Sequence, residues 1–339
     1  MYTFPLSMAV RILSQAEVTA LLPMEECIEV MEAALRTLAE GGAQLPLRTV
    51  LRLPEGKGLF GVMPARLGAP ASLGLKAIAV FPGNEGTRLD SHQGVVILFD
   101  PENGAPIAVL DASSITAIRT AAVSGVATRA LARSDAGDLA LLGTGVQART
   151  HLAAMRAVRP LRRVRAFGPN AERLAGFVAW AREHLAVAVE PVASPREAVT
   201  GADLVCTVTA STTPVVESAW VAEGAHLNAV GSSIPTSREL DSATVARGRL
   251  FVDRMESARN EAGDFLIPRG EGAISDAHIL GELGDVLLGR IVGRSGPSDL
   301  TIFKSLGLAI EDLAAAHHVL RKAEARGVGI VAELGGLRG

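Results

Sequence analysis

Short apolar runs alternate with helical segments from about residue 138 onward, and this alternation predicts a doubly wound, parallel α/β sheet. Such runs are typical of strands that are buried on both faces, because helices cover both sides of a parallel sheet. The intervening helices include Ala171–His184 and Ser194–Gly201. The predicted strands are Leu139–Leu142, Val164–Phe167, Val187–Val192, Leu204–Val208, His226–Val230, Leu250–Val252 and Leu300–Lys304.

The preceding part of the chain has a different pattern, which predicts an α+β domain with a mostly antiparallel sheet. Its apolar runs are separated by Pro and Gly, and helices do not alternate with them. A first helix, with apolar residues at helical spacing from Met24 to Leu38, ends at Gly41-Gly42. The predicted strands are Arg48–Leu53, Leu59–Met63, Leu73–Val80, Val95–Phe99 and Ile107–Leu110.

Two further helices define the predicted domain boundaries. A helix from Ser113 to Ala132 connects the two halves of the chain, and a last helix over Leu308–Ala325 is expected to return to the first half. We therefore predict one domain over residues 1–118 plus 308–339 and a second domain over residues 119–307.

Composition narrows the possible partners. The chain has 339 residues, of which 48% are hydrophobic, so two packed cores are possible. A dispersed net charge of −3 argues against nucleic acid or an anionic membrane as a partner. Cys27 and Cys206 lie in apolar surroundings, so we expect no disulfide or thiolate metal site and a cytoplasmic location. Because the sequence has neither a signal-peptide pattern nor an apolar run of membrane-spanning length, we expect no export and no membrane.

A glycine turn after the first strand of the parallel sheet is the main chemical motif. Gly143, Gly145 and Ala148 have the spacing of a dinucleotide-binding fingerprint between a strand and a helix. Gly143 makes the tight turn, Gly145 lets a pyrophosphate approach, and Ala148 lets the helix pack against the strand. We expect a Rossmann-type domain whose helix start binds the phosphates, although a purely structural turn has the same spacing. The predicted contacts also include Thr144, Val146 and Gln147.

The end of the second parallel strand bears on the choice between NAD and NADP. An NAD site usually places Asp or Glu there to accept a hydrogen bond from the ribose. Gly168 and Pro169 occupy that place, and Asn170 and Arg173 follow them. We therefore predict that NADP is preferred over NAD.

Three cations occupy positions where an apolar residue is expected. Arg119 lies in the apolar stripe of a helix, Lys76 lies inside an apolar strand, and Arg48 begins another strand. Buried cations are unstable without an anion, so they indicate either internal ion pairs, with Asp111 or Asp100 as partners, or a carboxylate ligand. Three in one domain favour the ligand, because Arg binds a carboxylate through two hydrogen bonds.

These motifs together identify the chain as similar to the ornithine cyclodeaminase/mu-crystallin family. The resemblance covers nearly the whole chain. Its motifs are Gly74-Leu-Lys76, Ser91-His-Gln93, Leu98-Phe-Asp100, Ile115-Thr-Ala-Ile-Arg-Thr-Ala-Ala122, Gly143-Thr-Gly-Val-Gln-Ala148 and Asn228-Ala-Val-Gly231.

The resemblance implies a homodimer whose first domain forms both the dimer interface and the substrate pocket. It implies that Arg48, Lys76 and Arg119 hold the substrate carboxylate, and that Ser91 contacts the amine or imine. We predict Lys76, Ser91 and Arg119 as catalytic residues, with His92 either a proton donor or simply a polar surface residue. Further predicted cofactor contacts, where strand threonines have packing as an alternative role, are Thr116, Thr207, Thr209, Val230, Gly231 and Lys304.

One departure from the cyclodeaminases bears on the reaction. In those enzymes an Asp follows the glycine that matches Gly231, whereas this chain has Ser232 and Ser233 there. Mu-crystallin-like ketimine reductases also lack that Asp, so we predict NAD(P)H-dependent reduction of a cyclic ketimine carboxylate, with Ser232 at the substrate. The products are L-proline from pyrroline-2-carboxylate or L-pipecolate from piperideine-2-carboxylate.

Other functions stay open at this point. If Ser232 merely caps a loop and another group handles water, ornithine cyclodeamination is possible. Alanine or N-alkyl amino acid dehydrogenase chemistry is a variant that uses the same carboxylate clamp. A protein that binds NADP and a ligand without turnover is the alternative outside the enzymes.

Overall fold

The first elements of the computed structural model, which describes residues 9–84 and 86–335, form the predicted antiparallel region and two unpredicted short strands, β1 and β2. The helix α1 begins at a capping box in which Ser14 and Glu17 satisfy each other's backbone N–H groups. The elements are β1 (Ala9–Leu13), α1 (Gln15–Leu21), α2 (Met24–Ala39), β2 (Ala43–Gln44), β3 (Thr49–Arg52), β4 (Leu59–Leu67), β5 (Ser72–Val80), β6 (His92–Phe99), β7 (Pro106–Asp111) and α3 (Ala112–Leu131).

The elements from Asp138 onward alternate between strands and helices. They are β8 (Asp138–Leu142), α4 (Val146–Val158), β9 (Arg163–Phe167), α5 (Ala171–Leu185), β10 (Glu190–Pro191), α6 (Pro195–Val199), β11 (Leu204–Thr207), β12 (His226–Ala229), α7 (Ser242–Arg247), β13 (Arg249–Val252), α8 (Met255–Glu261), α9 (Gly263–Gly270), β14 (Ile279–Glu282), α10 (Leu283–Leu287) and β15 (Thr301–Lys304). The chain then continues with α11 (Ala309–Arg326) and β16 (Ile330–Glu333).

The chain divides into two compact units. Unit 1 contains the residues up to Arg119 together with those from Leu308 onward, and unit 2 contains Thr120–Gly307. The sheet of unit 1 has the strand order β16-β1-β7-β6-β5-β4-β2, and β3 also pairs with β4. Its pairs are antiparallel except for β1 with β7. The predicted α+β region with a mostly antiparallel sheet is therefore confirmed.

The two faces of the unit 1 sheet differ in what covers them. On one face, α11 packs against β4, β5, β6 and α2. On the other face, apolar side chains lie in register across six strands, and none of them is fully buried. We call this set the apolar row, and it consists of Ile330, Ile12, Val109, Ile97, Leu75 and Pro64.

Unit 2 is built on an eight-stranded sheet with the order β10-β9-β8-β11-β12-β15-β13-β14. All of these pairs are parallel, so the predicted Rossmann-type doubly wound sheet is confirmed. The predicted strand Val187–Val192 is wrong in extent, since β10 contains only Glu190 and Pro191. The reason is local: Ala186 adopts a left-handed conformation that ends α5, and the Val187 N–H bonds back to Ala181 O.

Within the described parts of the chain, none of the helices combines the length and apolar composition that crossing a bilayer requires.

Candidate active site

Two of the predicted cations lie close together in unit 1 and share a buried acid. Lys76 is on β5 and Arg119 is on α3, and their exposed fractions are 2% and 4%. Asp312 on α11 bridges them, with its Oδ2 2.7 Å from Lys76 Nζ and its Oδ1 accepting from Arg119 Nε at 2.9 Å. This shared carboxylate fixes the two cations relative to each other.

A second buried acid completes the ion cluster. Arg119 Nη1 donates to Glu311 Oε2 at 2.7 Å, and Glu311 and Asp312 both have an exposed fraction of 0%. Both acids lie in the first turn of α11, where the helix dipole favours negative charge. Neither acid was predicted from the sequence. Their signal was present, because two adjacent acids interrupt the apolar pattern that begins the last helix.

The two acids that the sequence analysis named as partners have local roles instead. Asp111 Oδ1 accepts from the backbone N–H and the hydroxyl of Ser114 at the start of α3. Asp100 accepts from the Glu102 N–H and the Asn103 side chain within the turn before β7. Asp residues commonly serve helix starts and turns in this way, because their side chains reach nearby N–H groups.

The remaining predicted groups of unit 1 lie near Lys76. Burial, together with the charges of Arg119 and Arg48, lowers the pKa of Lys76 to about 8 against the opposing effect of Asp312. Thr116, which we predicted at the cofactor, lies beside this amine and accepts from Lys76 Nζ at 3.4 Å. The structure thus brings Arg48, Lys76, Thr116 and Arg119 together.

Ser91 and His92 lie at the start of β6. The Ser91 hydroxyl is 3.0 Å from His92 Nδ1. Desolvation and the charge of Lys76 lower the pKa of His92, so its ring is more readily neutral than an ordinary histidine. The Nδ1 of a neutral ring can accept a hydrogen bond from the Ser91 hydroxyl, which orients that hydroxyl.

The glycine turn of unit 2 has the form that the sequence predicted. Gly143 has a φ of +119°, and a Cβ on it would lie 2.7 Å from Val208 O. A Cβ on Gly168 would lie 2.6 Å from the Thr144 methyl group. Ala148 is fully buried against the sheet. Packing therefore explains the small residues at three of these positions.

Gly145 needs a different explanation. Its φ of −83° is open to any residue, and a Cβ there would meet no atom within 4 Å. It is the N-cap of α4 and makes no side-chain capping bond to the N–H groups that begin at Val146 and Gln147. A glycine that the fold does not require, at a bare helix start, fits the close approach of a pyrophosphate.

After β9 and the buried Gly168, the chain is exposed from Pro169 to Arg173. Asn170 caps α5 through a 2.9 Å bond from the Arg173 N–H to its Oδ1. Both Asn170 and Arg173 are open to solvent next to the buried Gly168.

Several predicted residues at the ends of β11, β12 and β15 bond to unit 2 itself. The hydroxyls of Thr207 and Thr209 donate to Glu239, a residue the sequence analysis missed. Lys304 is fully buried, and its Nζ lies 3.0 Å from Asp264 Oδ2. The amine also donates to the backbone oxygens of Ala229 and Ser232, so its charge is satisfied inside the unit.

The segment that begins after β12 is held by hydrogen bonds within unit 2. Val230 and Gly231 both donate backbone N–H groups to Thr207 O at 3.0 Å. Ser232 is buried, and its hydroxyl donates to Ser237 O. The loop-capping alternative therefore describes Ser232 in this structure, while Ser233 is exposed.

Residues 9–84 and 86–335 contain no group of three His, Cys, Asp or Glu side chains placed to hold a metal ion.

Comparison with known proteins places this geometry in one family. The model of the ornithine cyclodeaminase/mu-crystallin family matches residues 8–327. Ketimine reductase mu-crystallin of Mus musculus is 40% identical over 292 residues, which are 85% of this chain and 89% of the relative. A Delta(1)-pyrroline-2-carboxylate reductase of Bacillus cereus is 35% identical over 319 residues, which are 94% of this chain and 98% of the relative.

A solved structure agrees with the sequence relatives. The Thermococcus litoralis Delta(1)-pyrroline-2-carboxylate reductase in complex with NADH and L-proline superposes with a TM-score of 0.92 and 38% identity. The match covers 95% of this chain and 99% of that one. The chain belongs to the ornithine cyclodeaminase/mu-crystallin family.

Proposed function

We propose that the protein reduces a cyclic ketimine carboxylate with NAD(P)H, forming L-proline from pyrroline-2-carboxylate or L-pipecolate from piperideine-2-carboxylate. The observation that carries the proposal is the grouping of three cations in unit 1, where Asp312 fixes Lys76 and Arg119 beside Arg48. The pairing of Lys76 and Arg119 with buried acids is the internal ion pair that stood as the alternative to a carboxylate ligand, with Glu311 and Asp312 in place of the acids expected. Relatives that match nearly the whole chain are named for this reduction.

The cations bind and orient the substrate. Arg119 and Arg48 attract the carboxylate, and the fixed position of Lys76 limits the ring to one orientation. A bound reduced dinucleotide supplies the hydride that adds to the imine carbon. The imine nitrogen gains a proton, and we assign its transfer to the Lys76 ammonium, whose pKa of about 8 makes it a more ready donor than an ordinary lysine. Ser91, oriented by His92, is proposed to contact the ring nitrogen.

The Ser232 position supports reduction over cyclodeamination. A cyclodeaminase must activate water, and the residue after Gly231 here is a serine whose hydroxyl is occupied by Ser237 O. Reduction needs no base for water, since a hydride and a proton complete the reaction.

We propose that NADP is preferred over NAD. Gly168 and Pro169 offer no carboxylate to repel a ribose 2′-phosphate, and Arg173 lies in the exposed first turn of α5. An Arg173→Ala variant is expected to weaken NADPH binding more than NADH binding. Equal weakening of both would contradict the assignment.

We also propose a homodimer formed through the apolar row of unit 1, because a second copy of the same face would cover it. Cys27 and Cys206 are both free and buried, which suits a reducing cytoplasm.

The deciding experiment follows the near-ultraviolet absorbance of NADPH and NADH with each cyclic imine, beside an ammonia assay on L-ornithine. Oxidation of the cofactor by an imine, without ammonia from ornithine, is the expected result. Ammonia release without net cofactor change would replace the proposal with cyclodeamination. Tight ligand binding without turnover of any imine would replace it with the function of a ligand-binding protein.

A further inference from the structure

Glu239 is a buried acid that accepts four hydrogen bonds at the carboxyl ends of β11 and β12 in unit 2. Its exposed fraction is 0%. Oε1 accepts from the backbone N–H and the hydroxyl of Thr209, and Oε2 accepts from the Thr207 hydroxyl and the Gly231 N–H. All four distances are 2.7 Å. One side chain therefore ties the residues that end β11 to the residue that follows β12.

This arrangement requires a carboxylate. Each oxygen of Glu239 receives one backbone N–H, from Thr209 on one side and from Gly231 on the other. A hydroxyl can rotate to accept instead of donate, but a backbone N–H cannot. A glutamine amide can serve only one of the two N–H groups, so its NH₂ would oppose the other. The Gly231 N–H would keep its second acceptor, Thr207 O.

The segment that Glu239 fixes is in direct contact with the glycine turn. Val208 lies between Thr207 and Thr209, and its N–H donates to Leu142 O at 2.9 Å. Its carbonyl oxygen is the atom that leaves no room for a side chain on Gly143. A shift of the Val208 backbone would therefore change the packing against Gly143 and with it the conformation of the glycine turn.

A buried ion pair between Asp264 and Lys304 holds the backbone of Glu239 in place. Asp264 Oδ1 accepts from the backbone N–H groups of Glu239 and Leu240 at 2.8 and 3.0 Å. Its other oxygen pairs with Lys304, which in turn donates to Ser232 O. The ends of β12 and β15 and the loop that carries Glu239 are thus joined by one buried network.

We propose that Glu239 is a positioning residue for the dinucleotide site, holding the ends of β11 and β12 in the conformation that the glycine turn needs for binding. The inference rests on the proposed dinucleotide-dependent function. It assigns Glu239 no contact with the cofactor or the substrate, since its carboxylate is fully buried behind Thr207, Thr209 and Gly231.

The chain offers a matched control at the opposite end of β11. Asp203 Oδ2 accepts from the backbone N–H groups of Gly137 and Asp138 at 2.9 and 3.1 Å, which ties the amino ends of β8 and β11. In Asp203→Asn and in Glu239→Gln alike, the new NH₂ group faces a donor that the carboxylate had satisfied. Both variants place an NH₂ group against a backbone N–H of the same sheet, and Asp203→Asn also weakens ion pairs with Arg133 and Arg162. Only Glu239 lies on the side of the glycine turn.

The experiment measures the Kd of NADPH and NADH by cofactor fluorescence, together with the melting temperature of each variant. Glu239→Gln is expected to raise the Kd of the preferred dinucleotide at least about tenfold, because the new NH₂ group opposes a backbone N–H that the carboxylate had accepted and so displaces the ends of β11 and β12. Asp203→Asn is expected to lower the melting temperature to a similar degree while leaving that Kd within about twofold.

A second variant covers the case in which Glu239→Gln does not fold. Thr207→Val keeps the shape of a side chain with an exposed fraction of 0% and removes the hydroxyl that donates to Glu239. It is expected to raise the same Kd about threefold or more. Unchanged Kd values in the variants that fold, or an equal rise in Asp203→Asn, would overturn the positioning role. Failure of the wild-type protein to bind either dinucleotide would instead refute the proposed function.

Discussion

Asp312 determines how two cations can be buried side by side in unit 1. Each of its oxygens serves a different cation, so neither Lys76 nor Arg119 is left without a counter-charge in the protein interior. Burying such groups is unfavourable unless the ion pairs have good geometry and further hydrogen bonds. Glu311 supplies the additional bond to Arg119 at 2.7 Å. The cluster is therefore sensitive to the loss of any single member.

Removing Arg119 should destabilise the protein strongly. Arg119→Met leaves Glu311 and Asp312 buried with one cation between them, and we expect a loss of about 3–5 kcal/mol in the free energy of unfolding. Urea unfolding measures the loss. The surface variant Arg163→Met, which breaks an exposed pair with Glu190, should cost about 1 kcal/mol or less.

A double variant tests the cause of that loss. Because Glu311→Gln removes one of the stranded charges, Arg119→Met combined with Glu311→Gln should lose less stability than the two single variants together. Strict additivity of the two losses would show that Arg119 acts through packing and not through its charge.

Lys76 should give the reaction a pH dependence. Because its pKa is lowered to about 8, the ammonium loses its proton as the pH rises through that value, and kcat/KM for the cyclic imine should fall there. Lys76→Arg keeps a positive charge at all accessible pH values, so its residual activity should lack this fall. A fall at the same pH in both proteins would assign it to the substrate instead.

At the scale of the element, a substitution in the turn between β8 and α4 should change dinucleotide binding without changing the stability of the fold. Gly145→Ala meets no atom and keeps an allowed φ, so the melting temperature should be unchanged. The Kd of the dinucleotide should nevertheless rise at least about tenfold, because the methyl group occupies the space needed by the pyrophosphate. Gly176→Ala on α5, where a Cβ also meets nothing, should leave the Kd unaffected and raise the melting temperature slightly, because Ala is favoured over Gly inside a helix. Unchanged binding by Gly145→Ala would refute the role of this turn.

The elements that the sequence predicted well are those whose signal is local. Buried parallel strands such as β8 and β11 appear as uninterrupted apolar runs, and the turn at Gly143 has a fixed spacing. The strands β1 and β16 were missed. Their pairing joins Ala9 to Glu333 across nearly the whole chain, and both strands are short. A pattern of neighbouring residues cannot predict pairing with a strand so distant in the sequence.

The residues of the candidate site also divide into those with a local sequence signal and those that depend on distant partners. Lys76 and Arg119 stood out because a charge in an apolar pattern is visible within a few residues of sequence. Their true partners did not, since Arg119 and Glu311 are separated by 192 positions and meet only when α11 packs on the sheet. The burial of Ser232 and Glu239 likewise depends on loops whose conformation no repeating pattern specifies.

At the scale of the whole molecule, the apolar row gives the proposed dimer a specific test. Ile97 lies near the middle of the row, between Leu75 and Val109, so Ile97→Lys places a charge where the second copy would pack. Analytical ultracentrifugation should show a dimer for the wild type and a monomer for this variant. Val292→Lys, at an exposed position of unit 2, should remain dimeric. A wild-type monomer, or a dimer that tolerates Ile97→Lys, would contradict the proposal.

The location of Glu311 and Asp312 in the sequence also constrains the order in which a new chain can fold. A ribosome finishes all of unit 2, Thr120–Gly307, before it adds either acid. Until then Lys76 and Arg119 lack these counter-ions, and closing the core around them is unfavourable. The continuous unit can fold during synthesis, whereas the split unit must wait for its last helix. The protein thus delays completion of its proposed substrate-binding region until the proposed cofactor-binding region already exists.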